Sequence, residues 1–163
     1  FVSSYLYLWT VAAQAWSLAI QSGLPSAASA YVGAGLLGLS AACMGVAGKV
    51  LPRSRTGFAA LVLIALLALP AALGLEVAAH WRSGLRPQAS GYAALVYLAA
   101  VLQLQIVVAV VVIGAYTLTR LAMGRLSASR RVTFDTLALL SYYAAGQGML
   151  GLLLVHGFPR AVS

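Results

Sequence analysis

From residue 134 to residue 155 the chain carries a single charge, Asp135, at the very start of the run. An apolar stretch of about 20 residues is the length a helix needs to cross the hydrocarbon core of a bilayer. A basic loop with Arg120, Arg125, Arg130 and Arg131 precedes the run, and His156, Gly157, Phe158, Pro159 and Arg160 close it. Within it lie Tyr142, Tyr143 and Gln147 among the small residues Ala144, Ala145, Gly146, Gly148 and Gly151. Small residues let helix backbones approach closely in lipid, so this helix is expected to pack against protein.

Composition excludes a soluble fold. The 163 residues are 63% hydrophobic and 7% charged, with a mean hydropathy of +0.97. A water-soluble domain carries roughly 25% charged residues. Ten Lys or Arg against two acids give a net charge of +8. These cations lie between apolar runs, where anionic lipid headgroups rather than nucleic acid would meet them. The single Cys43 lies inside an apolar run and allows no internal disulfide. The chain starts in apolar sequence at Phe1 with no basic region before it, which argues against a signal peptide. The reading expects a longer polypeptide or residues missing before Phe1.

Five spans are expected, at about 1–20, 28–48, 57–79, 91–119 and 134–156, forming one membrane domain. Irregular backbone cannot face lipid, and nothing alternates as barrel strands do. The fold class is therefore an all-α integral membrane bundle of five transmembrane helices. Lys49, Arg53, Arg55 and the four arginines at 120, 125, 130 and 131 fall on one side of such a bundle. Arg82, Arg86 and Arg160 fall on the other. The positive-inside bias then puts the N-terminus in the cytoplasm and the C-terminus outside, in the periplasm of a bacterial inner membrane.

Several motifs invite a chemical reading. Gly33, Gly35 and Gly38 match a GxGxxG pattern, but a dinucleotide site needs a strand before it and an acid about 20 residues on. Ala30, Ala34, Gly38 and Ala42 recur every four residues and read as a packing face. Glu76 is a carboxylate inside a span, which by default suggests function. It stands one turn before His80, so a local pair is available. His80 and His156 end spans three and five, and a bis-histidine haem would need such a pair on facing helices. Gln103 and Gln105 are the strongly polar side chains of span four, and an amide there needs partners on neighbouring helices. Thr133 reads as an N-cap, with Asp135 complementing the helix dipole in the first turn. No metal cluster, nucleophile–base pair or deep carboxylate pair can be assembled. The chain therefore reads as having no catalytic, cofactor or metal residues of its own.

Ser3 and Ser4 open span one, and Leu24 and Pro25 precede the Ala/Gly/Ser-rich span two. Pro52, Arg53 and Arg55 lead into span three, which ends at Gly74, Leu75 and Glu76. Tyr92, Gln103 and Arg120 mark span four, and Ser141, Tyr142, Tyr143 and Gln147 mark span five. Read in this order, the spans resemble the last five helices of cytochrome c oxidase subunit III. The resemblance is to a short bacterial form or to the subunit III part of a fused chain. Ser4 stands where that family usually has a buried glutamate, and Gln103 and Tyr142 stand where it usually has histidines. Glu76 matches as an acid.

The resemblance implies a non-catalytic subunit of a haem–copper terminal oxidase. Such a subunit packs beside the catalytic subunit I and the other oxidase subunits, retains phospholipid, and supports stability and proton uptake. Haem and copper would then sit in the partners, with none in this chain. Glu76, Tyr92, Gln103, Tyr142, Gln147 and Gly148 are the candidate structural or lipid-contact positions. A quinol-oxidase or nitric-oxide-reductase-associated relative is the nearest alternative. A small transporter or a membrane cytochrome b is the alternative from another class.

Overall fold

The computed structural model of the protein describes residues 2–11, 27–88, 90–127 and 131–157. Five helices run through them: α1 (Val2–Val11), α2 (Ala27–Val50), α3 (Arg55–Arg82), α4 (Gly91–Ala122) and α5 (Val132–Leu152). A π-type turn, Leu153–Gly157, continues α5. No β-strand occurs among the described residues. Four of the helices, α2 to α5 with its π turn, are long and apolar enough to cross a membrane. The expected first span is described only as α1. Its second half, the polar turn at 21–26, Arg130 and the Pro159–Arg160 ending lie outside the described residues.

Local sequence chemistry sets the helix ends. Ser54 and Ser90 sit in extended backbone ahead of α3 and α4, and their hydroxyls accept from the amides of Gly57 and Ala93. Each such cap satisfies one of the amides that a helix start leaves open. The ends of α3 and α4 are closed by glycines with positive φ, Gly84 at 83° and Gly124 at 69°. At α3 the Leu85 amide donates to His80 and the Gly84 amide to Trp81. At α4 the Arg125 amide donates to Arg120 and the Gly124 amide to Leu121. This paired closure uses the left-handed conformation that glycine adopts without a Cβ penalty. It carries α3 to Arg82 and α4 to Ala122, one turn or less beyond the expected ends at 79 and 119.

Thr133 is not the N-cap of α5. Arg131 holds that position without a side-chain cap, while the Thr133 hydroxyl accepts a 2.8 Å bond from Arg120. A tertiary partner has taken the group that local reading assigned to capping. Asp135 does lie in the first turn, and Arg131 donates to it across 3.2 Å.

Close packing along α2 fixes how the helices run. A Cβ on Gly33, Gly38, Gly45 or Gly48 would meet Leu152, Met149, Tyr142 or Phe134 in turn. Residue numbers rise on α2 as they fall on α5, so these two helices are antiparallel. The hydroxyl of Ser40 donates to the Ala65 carbonyl and joins α2 to α3. Helices α3 and α5 run the same way. Phe58 meets Phe134 edge-on near their starts, and His80 stacks on His156 at their ends. Met44, Ala47, Phe58, Val62, Leu69, Val110, Leu137 and Ala144 are almost wholly buried in the main core. A second cluster, built on Leu85, Tyr92, Val96 and Val155, fills the end that holds the histidines.

Ala30, Ala34 and Gly38 of the four-residue stripe pack inward, but the stripe does not hold as far as Ala42. Gly33, Leu37, Ser40, Met44 and Ala47 are buried, whereas Ala42 is exposed. A strict four-residue repeat drifts by about 40° per step around a helix of 3.6 residues per turn. By Ala42 the stripe has rotated off the contact. Outward-facing apolar side chains such as Leu67, Val112 and Leu139 remain uncovered, as a bundle solvated by lipid requires.

Candidate functional site

Two polar features converge on Glu76. The first is a groove of about 630 Å³ between α4 and α5, reached by Val2 of α1 and by Glu76 of α3. Leu102, Ile106 and Leu150 give it apolar walls, and Gln103, Gln105, Gln147 and Tyr143 supply polar groups. It forms because α5 carries glycine at 146, 148 and 151 along this side. Gly146 and Gly151 have open space where a Cβ would go. Gly148 does not: a Cβ there would lie 2.8 Å from Leu37 and 3.1 Å from the Gln103 amide nitrogen.

Gln103 is 8% exposed, and its amide nitrogen donates to the Ala144 carbonyl across 2.8 Å. Its amide oxygen is buried with no hydrogen-bond partner. A buried acceptor left open costs about 1–3 kcal/mol, so this oxygen is a place where a bound molecule's donor would be stabilised. Gln105 is exposed, and Gln147 half-buried.

The second feature lies at one end of the bundle. His80 and His156 are 2% and 4% exposed, with ring centroids 5.4 Å apart and planes at 29°. His80 Nε2 stands 3.9 Å from Glu76 Oε1 across one turn of α3. One donor atom from each of Glu76, His80 and His156 lies within 4.8 Å of the others. Both ring nitrogens of His80 are buried and outside hydrogen-bond reach of any protein group. The Tyr92 hydroxyl donates to the Val155 carbonyl, holding the π turn that presents His156. Such turns recur at functional sites because they re-aim side chains at the end of a helix.

Of the candidate positions, Glu76, Gln103, Gln147 and Gly148 therefore meet around one groove. Tyr142 lies apart, in a smaller recess with Gly45, Gly48, Phe134 and Asp135. Tyr92 belongs to the histidine end, with His80 and His156. Ser4 is an exposed residue of α1. From the sequence, Glu76 pairs with His80 by spacing and His80 and His156 fall at the same end of the bundle, but no metal cluster is assembled. The missing information was that the two rings meet, which no local pattern carries. Neither histidine lines the groove or the recess. No protein-family model and no curated protein matches this sequence.

Proposed function

We propose that the chain is a non-catalytic subunit of a haem–copper terminal oxidase, similar to cytochrome c oxidase subunit III. It would cross a bacterial inner membrane five times, with the N-terminus in the cytoplasm. Its work would be to pack beside the catalytic subunit and to retain lipid. The observation that carries this reading is the groove between α4 and α5. Its apolar walls suit an acyl chain, and its glutamines suit the polar part of an amphiphile. The order of polar landmarks along the spans supports the choice of family. The electron donor, cytochrome c or quinol, would be met by the partner subunits.

Mass spectrometry of the complex purified from its native membrane tests the proposal. Haem–copper subunits and a phospholipid should co-purify with the chain in fixed ratio. Isolation of the chain free of any haem–copper subunit would refute it.

A further inference from the structure

The geometry points to a divalent metal site of the zinc class formed by Glu76, His80 and His156. It stands apart from the subunit reading above, and its test uses this chain alone. Two imidazoles and one carboxylate are a donor set that zinc accepts, leaving a fourth position for water. Glu76 and His80 are four residues apart and so share one face of α3. His156 comes from the π turn after α5, so the third donor is supplied by tertiary structure.

Three observations argue for a cation rather than a purely packed pair. First, both nitrogens of His80 are buried without a hydrogen-bond partner, and buried polar groups of this kind are rarely left open. Second, the chain has only two acids, and Asp135 is engaged by Arg131. Among the described residues no Lys or Arg forms an ion pair with Glu76, although a carboxylate inside a span calls for a positive partner. A bound dication would meet both needs at once. Third, Glu76 also lines the groove, which gives an ion and its water a way in.

The fit requires a small closure. Bonds of 2.0–2.2 Å in a tetrahedron put donors about 3.4 Å apart, against 3.9 Å between Glu76 Oε1 and His80 Nε2 and up to 4.8 Å across the trio. Glu76, 23% exposed at its side chain, has room to rotate inward. Tyr92 holds the π turn in place through the Val155 carbonyl.

The experiment uses the full chain in detergent, purified through a tag that contains no histidine and stripped with a chelator. Cobalt(II) is titrated in as a spectroscopic probe, zinc(II) is used to displace it, and bound metal is counted by elemental mass spectrometry. The expected result is one equivalent of cobalt with the absorption of a tetrahedral site, displaced by one equivalent of zinc. H156N should abolish it, and E76Q should weaken it at least about tenfold. R86A, at the same end but outside the trio, should bind as the parent does. Glu76 faces the groove, so E76Q should keep the helical circular dichroism even if a histidine variant unfolds. Failure of the parent chain to take up a stoichiometric ion would overturn the proposal. So would uptake by folded E76Q and H156N with the affinity of the parent.

Discussion

Gln103 on α4 donates its side-chain amide to the main-chain carbonyl of Ala144 on α5, 41 positions away and across 2.8 Å. The bond is buried beside Gly148, so it ties the two groove helices together. Side-chain hydrogen bonds between helices in membranes contribute about 0.6–2 kcal/mol. Replacing Gln103 by Leu should lower stability by that amount, read as the midpoint of an SDS-titrated unfolding curve. An unchanged midpoint would show that the bond does not hold α4 to α5.

Among the described glycines, Gly114 is where an added Cβ would meet a neighbour most closely. A Cβ there would sit 2.5 Å from both methyls of Leu66, so G114A must displace a buried side chain. Overpacking of this kind costs about 1–3 kcal/mol. The double variant G114A/L66A should recover part of the G114A defect, whereas G146A, with open space at its Cβ, should be neutral. Thermal unfolding in detergent would compare all three.

Gly148→Leu should act on two things at once. It would strike Leu37 and crowd the Gln103 amide, and it would fill part of the groove. Lipid retained through purification, counted by mass spectrometry, should fall together with stability. At Gly151 an added Cβ meets nothing within 4 Å, so G151L should reduce lipid with little loss of stability. Parent-level lipid content in both variants would detach lipid retention from the groove.

Membrane orientation can be read from two loop positions. Gln88, between α3 and α4, and Ser127, between α4 and α5, are both exposed and lie on opposite sides of the α4 span. In a background with the buried Cys43 replaced by Ala, Q88C should react with an impermeant thiol reagent on intact cells and S127C should not. The opposite labelling would invert the proposed orientation.

Tyr92→Phe removes the hydroxyl that anchors the Val155 carbonyl. A net loss of about 0.5–1.5 kcal/mol follows for one buried hydrogen bond. Amide exchange should speed up in residues 153–157 while the core of α3 is unaffected. Uniform protection would show that the π turn is held by packing alone.

Much of this architecture is legible in the chain itself. Ser54 and Ser90 as caps, and Gly84 and Gly124 as stops, are local signals, and the apolar runs between them are long enough to read directly. Thr133 misleads because Arg120, a residue of the preceding helix, claims its hydroxyl. Ala42 misleads because a four-residue repeat and a 3.6-residue helix part company over three turns. At the site, Glu76, Gln103, Gln147 and Gly148 could each be singled out as polar or small within a span. Their meeting could not, because it depends on which faces α4 and α5 turn toward one another. The same holds for His156, whose place beside His80 follows from tertiary packing.

The meeting of α3 with α5 at their ends, by Phe58 with Phe134 and by His80 with His156 of the π turn, bears on how the protein is made. These helices are not neighbours in the chain, and α4 must be threaded into the bilayer between their syntheses. Membrane helices can insert singly and associate afterwards, so α3 lacks its Phe134 and His156 contacts until α5 leaves the ribosome. A nascent chain halted before residue 132 would have neither the groove nor the histidine pair. Synthesis of α5 is thus the step that brings His156 to His80.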